Sequence, residues 1–349
     1  MMEKQGFFGR LFGQRAAEPT TATQPEAPAQ LTEPPAQTSA EVLGGATAQS
    51  GEQKTMRAAQ LQEFGDYDQI RLVELPVPSL EPGQVLVRMT AAALNPLDNR
   101  IRQGLFPLAG KPPMILGNEG AGILVDGEAE LPHGTPVFFK SAYNLPHGGT
   151  WQEYVVCRPS DLLPIPASKS DREAAALRTA FQTGQVALTA IGGFQPGQIV
   201  LAPGVGGAVG GAVVQLARAQ GAARVLTTAT STAKAERARE LGSEDVIDLS
   251  QESLADGVRR LVGDGVVDLV IDGVGGPLLD QELGILKRGG AVVLLGVSGG
   301  EYATIDLERH MLQRGARILS FMLQTQPMPL RERALAEVLQ LWTDSKIAP

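Results

Sequence analysis

The chain has 349 residues but a single cysteine, Cys157, and only three histidines, His133, His147 and His310. One cysteine excludes an intrachain disulfide and a four-cysteine zinc lobe. The histidines lie far apart and form no HxxxH-type pair. No apolar run reaches the ~18 residues that a membrane-crossing helix needs. Positive charge is also short: 30 Lys and Arg against 38 Asp and Glu leave a net charge of −8. That balance argues against non-specific binding to nucleic acid or an anionic membrane. Glycine, by contrast, is abundant at 41 residues, well above the usual ~7%. Such a surplus signals tight turns and close backbone approaches. The length suggests two domains.

Residues 1–55 differ from the rest. From 16 to 55 the chain is rich in Ala, Pro, Thr, Gln and Glu and holds almost no large apolar residue. It cannot bury enough surface to offset its ordering entropy, so 1–55 is expected to be a disordered tail or linker. Phe7, Phe8, Leu11 and Phe12 share one helical face, weakened by Gly6, Gly9 and Gly13. They read as a frayed tail, or as a short anchor for a partner or membrane surface. A third reading starts the protein at Met56. Arg10 interrupts the apolar stretch and no Ala-x-Ala site follows closely, which is poor for a secretory signal. A cytoplasmic protein is expected.

Residues 56–180 read as a mostly β domain. Candidate strands are Arg57–Gln62, Ile70–Leu75, Gln84–Ala92 and Ala121–Val125, separated by Pro- and Gly-rich turns. Residues 181–323 alternate instead. Strands are expected at Ile199–Ala202, Arg224–Ala229, Val246–Asp248, Val266–Ile271, Ala291–Val297 and Arg317–Met322. Helices fall between them at Ala208–Gln220, Ala233–Leu241, Leu254–Val262, Leu278–Lys287 and Asp306–Gln313. Short, nearly all-apolar strands alternating with helices predict an α/β fold with a parallel sheet covered on both faces. Six strands with five crossovers fit the doubly wound Rossmann dinucleotide fold.

The first strand-to-helix turn reads Pro203-Gly204-Val205-Gly206-Gly207-Ala208-Val209-Gly210-Gly211. Small residues there let main-chain N–H groups approach a pyrophosphate at a helix N-terminus. From Gly204 the literal spacing is G-x-G-x-x-x-G. The other frame uses Val205, Gly207 and Gly210. The cofactor-binding candidates are therefore Gly204, Gly206, Gly207, Ala208, Val209 and Gly210. An acidic residue at the end of the second strand would hold the ribose 2′-hydroxyl of NAD. Here that place reads Thr230, Ser231 and Lys234, with no carboxylate before Glu236. Hydroxyls and a lysine suit a 2′-phosphate, so NADPH is the expected cofactor.

Several segments together carry a resemblance. They are MRAAQLQEFG from Met56, AAALNPLDNRIRQG from Ala91, PMILGNEGAGILVDG from Pro113, GGTWQEYVV from Gly148, GGAVVQLARAQGA from Gly210 and DLVIDGVGG from Asp268. In that order, over about 56–349, they resemble the zinc-independent quinone oxidoreductases of the medium-chain dehydrogenase/reductase superfamily. The resemblance implies a GroES-like β catalytic domain ahead of the Rossmann domain. Zinc-dependent members place a cysteine and a Gly-His-Glu where this chain has Asn95 and Gly117-Asn118-Glu119. It therefore implies no metal, and hydride delivery to a quinone or an α,β-unsaturated carbonyl. Carried over by position, Asn95 would face the nicotinamide and the acceptor carbonyl as a neutral donor. Asp98 and Arg102 would brace each other, and Thr183 would stand beside the nicotinamide. Gly273, Val274 and Gly275, with Leu295, Gly296 and Val297, would close around it. Arg100 and Phe106 replace family tyrosines near the acceptor. A homodimer formed by edge strands is implied too.

The family also continues past this chain's end. Residues 324–349 are thus expected to be a shortened return segment to the catalytic domain, leaving that domain short of an edge strand. Two alternatives stand beside the reductase. One is an enoyl-thioester reductase of the same superfamily. The other is a non-catalytic NADPH-binding module recruited through its tail. Cys157, His147, Trp151 and Tyr154 are expected to be packing or surface residues.

Overall fold

The computed structural model describes residues 54–106, 110–140 and 145–349. The expectations for the tail, including the Phe7–Phe12 face, lie outside the described residues. Composition places Thr55 in the linker. It is instead the first residue of a strand, because Met56 and Ala58 bury one face of that strand.

The first half is built from β1 (Thr55–Leu61), β2 (Ile70–Pro76), β3 (Val85–Ala92), α1 (Pro96–Arg102), β4 (Met114–Ile115), β5 (Gly120–Gly127), β6 (Pro136–Phe139), β7 (Tyr154–Cys157) and β8 (Leu162–Pro164). A three-stranded sheet runs β2-β1-β4, and a five-stranded sheet runs β7-β3-β5-β6-β8. β1 pairs antiparallel with β2, Leu61 opposite Ile70. Sequence periodicity missed α1, which is too short to show one. Its signals are local: Asn95 caps it, Pro96 opens it, and Asp98 at the third position accepts the Asn95 main-chain N–H at 2.8 Å.

The second half holds α2 (Asp171–Gln185), β9 (Ile199–Ala202), α3 (Ala208–Ala219), β10 (Arg224–Ala229), α4 (Thr232–Glu240), β11 (Asp245–Asp248), α5 (Leu254–Val262), β12 (Val267–Asp272), α6 (Leu278–Ile285), β13 (Leu286–Leu294), β14 (Arg317–Ser320) and α7 (Met328–Thr343). The parallel sheet has the order β11-β10-β9-β12-β13-β14. The order reverses at β9, the first strand of the sheet, as in the doubly wound fold. Its strands are apolar on both faces because helices cover both: Val200, Leu201 and Ala202 are all buried.

Three expected elements are corrected. The helix from Leu278 stops at Ile285 rather than Lys287, and β13 begins at Leu286 rather than Ala291. Leu286 is fully buried opposite Val267 of β12, and Gly289 and Gly290 follow, which a helix tolerates poorly. The expected helix over Asp306–Gln313 is a single π-helical turn, Glu308–Gln313.

α2 and α7 join the layers. Ser170 and Glu173 form a reciprocal cap at the start of α2. The helix then buries Leu177 and Phe181 in the largest apolar cluster. On α7, Trp342 is fully buried and stands edge-on to Phe138 of β6, with ring centres 6.1 Å apart. The C-terminal segment thus packs onto the β-rich half. The main chain of Ala348 donates to Gln215 of α3 and accepts from it, at 2.7 and 3.0 Å.

Candidate active site

The glycine loop leaves the end of β9 and is held by β10. Gly204 N–H donates to the Thr228 hydroxyl at 3.0 Å, and Val205 N–H to the Thr228 carbonyl at 3.1 Å. Gly204 has φ +74°, the left-handed region that glycine enters freely. A Cβ on Gly210 would lie 2.5 Å from the Gly204 carbonyl oxygen and 2.8 Å from that of Pro203. A Cβ on Gly206 would meet nothing within 4 Å. The three glycines therefore do different work: Gly204 makes the turn, Gly206 keeps the approach open, and Gly210 packs α3 onto the loop. That is the literal G-x-G-x-x-x-G frame. Gly207 caps α3 without a side-chain hydrogen bond. The first-turn amides of Ala208, Val209 and Gly210 lack the preceding carbonyls that a helix interior supplies. An open floor and a helix N-terminus suit a diphosphate, so these residues fit a dinucleotide.

Beyond β10, Ser231 caps α4 by accepting the Lys234 N–H at 3.4 Å, and the Lys234 ammonium donates to the Thr230 hydroxyl at 3.2 Å. Thr230 and Lys234 are exposed. One cation, two hydroxyls and a second helix N-terminus thus face solvent beside the glycine loop. The nearest carboxylate on β11, Asp248, is engaged by Thr232 at 2.7 Å and Ser250 at 2.6 Å. The Ser250 and Thr232 hydrogen bonds hold it below the usual carboxylate range.

The structure brings the two expected nicotinamide segments together. Leu295 N–H donates to the Asp272 carbonyl at 2.8 Å, the Ser298 hydroxyl to the Gly273 carbonyl at 3.0 Å, and Gly299 N–H to the Val274 carbonyl at 2.7 Å. Leu295, Gly296 and Val297 lie just past β13 rather than within it. A Cβ on Gly204 would sit 3.5 Å from Val274 Cγ2, so this turn abuts the glycine loop. Asp272, which the sequence reading passed over, anchors the turn. Its carboxylate accepts the N–H groups of Val274 (2.6 Å) and Gly275 (3.0 Å). Burial pushes Asp272 upward against the pull of those amides.

Asn95 lies in a second cluster. Its side-chain amide donates to Asn118 Oδ1 at 2.9 Å and to Glu119 Oε1 at 2.8 Å. Glu119 Oε2 accepts the main-chain N–H of Thr179, and Arg178 Nη2 donates to the Asn118 carbonyl at 2.6 Å. Asn95, Asn118, Glu119 and Arg178 are all buried. Both amide hydrogens of Asn95 are thus committed inside the protein. Thr183 is one helical turn beyond Thr179 on α2, half-buried, and its hydroxyl has no hydrogen bond among the described residues. Of the pair, Thr183 holds the uncommitted donor.

Some expected roles change, and the packing role of Cys157 holds. Asp98 and Arg102 do not brace each other. Asp98 caps α1, while Arg102 bonds to Asn99 and the Gly65 carbonyl and stacks 4.0 Å over the Tyr67 ring. Residues three or more apart on a helix meet only if both face the same way, and Asp98 turns back to the N-terminus. Phe106 is buried with Leu61, Ile101 and Leu116, so it is a core residue. Arg100 is exposed. Cys157 is fully buried, and burial pushes its thiol up to about 12, which suits packing and not nucleophilic attack. Among the described residues no group of three or more His, Cys, Asp and Glu side chains could hold a metal ion.

With this geometry in view, residues 81–167 match the alcohol dehydrogenase GroES-like domain, and residues 208–341 match the zinc-binding dehydrogenase family. The human synaptic vesicle membrane protein VAT-1 homolog is 35% identical over 198 residues, covering 55% of this chain and 49% of that protein. The chloroplastic NADPH-dependent alkenal/one oxidoreductase of Arabidopsis thaliana is 33% identical over 223 residues, 61% of this chain and 57% of that one. The quinone oxidoreductase of Rattus norvegicus is 30% identical over 251 residues, 71% and 75%. Quinone oxidoreductase from Pseudomonas syringae pv. Tomato DC3000 has a similar structure, with TM-score 0.71 at 27% identity, covering 84% of this chain and 90% of that one. The chain spans about half the length of the VAT-1 relatives it matches.

Proposed function

The chain belongs to the medium-chain dehydrogenase/reductase superfamily and resembles its quinone reductases; on that premise we propose that it is a zinc-free, NADPH-dependent reductase of quinones or α,β-unsaturated carbonyls. One observation carries the reading: the Asn95 amide is spent on Asn118 and Glu119, and the family resemblance matches Asn95 and Asn118 to the cysteine and histidine of zinc-dependent members. Neutral carboxamides are poor zinc ligands beside thiolate or imidazole. Without a Lewis acid, alcohol oxidation would lack help in forming its alkoxide. An acceptor that is already electrophilic needs none.

When bound, NADPH supplies the hydride. The protein's part is positioning and charge. The amides of Ala208, Val209 and Gly210 would receive the diphosphate, and Thr230, Ser231 and Lys234 the 2′-phosphate. The Gly273–Gly275 and Leu295–Val297 segments would wall the nicotinamide side of the crevice and exclude water. Asn95 forms a fixed polar floor for the acceptor, and the Thr183 hydroxyl is the donor free to meet oxygen charge that develops on it. The reading also includes residues 56–180 as catalytic domain, 181–323 as nucleotide domain, and a cytoplasmic setting. It includes a homodimer through β14, an edge strand with an exposed Ile318. Light scattering on the purified chain tests the dimer.

NADPH consumption followed optically with a quinone, an enone and a crotonyl thioester tests the activity. Turnover of the quinone or enone, unchanged by a zinc chelator, is expected. Turnover of the thioester alone would transfer the assignment to an enoyl-thioester reductase. Loss of activity on chelation would refute the zinc-free part.

A further inference from the structure

Glu282 lies in the middle of α6, on the face that buries Leu279, Leu283 and Ile285, with no exposed surface. Neither of its carboxyl oxygens receives a hydrogen bond. Within hydrogen-bond reach of it is Asp272, also without exposed surface, whose carboxylate clamps the amides of Val274 and Gly275. We propose that the Glu282 carboxyl group donates a hydrogen bond to Asp272 and so acts as a positioning residue for the Gly273–Gly275 turn.

The argument is one of charge and satisfaction. Two carboxylates side by side in a dry interior, with no cation, would repel each other and be poorly solvated. One proton shared between them removes both problems and turns the unpartnered Glu282 into a donor. The assignment of the proton follows from the surroundings. Asp272 already accepts two N–H groups, which favour its charged form; Glu282 accepts none, so it keeps the proton. Burial first, and Asp272 second, push Glu282 well above its ordinary range.

The other charged groups near α6 are engaged elsewhere. Asp280 pairs with His310 at 2.9 Å. Asp256 and Arg259 of α5 pair with each other, and Arg260 with Glu252. Lys287 of β13 pairs with Asp268. Asp272 is thus the titratable neighbour that acts on Glu282.

This proposal concerns the turn itself; its consequence for the cofactor rests on the reductase reading. The test therefore begins without nucleotide. Wild type, Glu282→Gln and Glu282→Leu are compared by infrared spectroscopy at pH 7 and by hydrogen exchange over residues 273–275. Wild type minus Glu282→Gln should show the carbonyl stretch of one protonated carboxyl. Glutamine keeps a donor, so its exchange should match wild type. Leucine removes it, and exchange at Val274 and Gly275 should quicken about tenfold, the loss expected for a hydrogen bond to a charged group. NADPH binding should then weaken in the leucine variant by a similar factor, with kcat at saturation little changed. A missing carboxyl band, or leucine exchange equal to wild type, would overturn the proposal. If leucine prevents folding, the infrared comparison of wild type and glutamine still decides. A wild type that passes both tests yet binds no NADPH would refute the reductase reading and leave this one standing.

Discussion

Gly206 of the loop and Gly210 in the first turn of α3 are four residues apart, yet a single added methyl should harm them in opposite ways. Gly206 is outside the left-handed region, and its Cβ would meet nothing within 4 Å. Gly206→Ala should therefore leave stability unchanged or raise it by about 0.4–1 kcal/mol, through a stiffer unfolded chain. The methyl would project into the open floor that a diphosphate must approach. Losing one hydrogen bond to a charged group, about 1.5–3 kcal/mol, would weaken NADPH about 10- to 150-fold. Gly210→Ala places its methyl 2.5 Å from one main-chain carbonyl oxygen and 2.8 Å from another. Neither can rotate away, so overpacking should cost about 1–3 kcal/mol. That lowers Tm by about 2–4 °C per kcal/mol for a domain of this size. Thermal unfolding without nucleotide and fluorescence titration with NADPH read the two effects separately. Wild-type NADPH affinity in Gly206→Ala would refute the cradle. Equal destabilisation by both substitutions would refute the assignment of roles.

Three further outcomes follow from the site. Lys234→Ala should weaken NADPH roughly fivefold while sparing NADH, a modest effect because the lysine is exposed, and the difference should shrink as salt is raised; equal loss for both nucleotides in a titration would contradict the 2′-phosphate role. Asn118→Leu strips one buried acceptor from the Asn95 amide; it should cost about 1–3 kcal/mol in denaturant unfolding and lower turnover, and an unchanged midpoint would argue against the network. Burial, opposed by main-chain hydrogen bonds, raises Asp98 to about 6. The folded protein then holds a proton that the unfolded chain releases above about pH 4. That contribution is full below pH 4 and is lost as pH rises through about 6. Asp98→Asn should flatten this part of the Tm–pH curve, and an identical slope in both proteins would contradict it.

Much of the nucleotide half was legible because its strands are uniform. Ile199–Ala202 and Arg224–Ala229 have the expected bounds, since apolar runs between turn signals leave little choice, and the helix Leu254–Val262 has its expected bounds through its apolar periodicity. The β13 boundary was not legible. Leu286 reads as the last apolar residue of a helix, and only pairing with Val267 makes it a strand. α1 escaped a periodicity search because seven residues show no period, although its cap residues Asn95, Pro96 and Asp98 were in view.

The site divides the same way. The glycine loop and the Thr230–Lys234 segment follow from local spacing. The committed amide of Asn95 depends on Asn118 and Glu119, more than 20 residues away, and sequence gives no geometry across that distance. Asp272 offered a signal that went unused: it is an acidic residue directly after the apolar run Leu269–Ile271, where burial without a partner is costly. Glu282 gave none, because Asp280 and Gln281 beside it read as a polar helix face.

The central claim is an NADPH site built by the glycine loop and the start of α4. Parallel fluorescence titrations of the purified chain with NADPH and NADH test it most directly. Micromolar binding of NADPH, roughly tenfold or more tighter than NADH, is the result expected of a 2′-phosphate held by charge-assisted hydrogen bonds. Equal affinity for the two, or binding of neither, would contradict it.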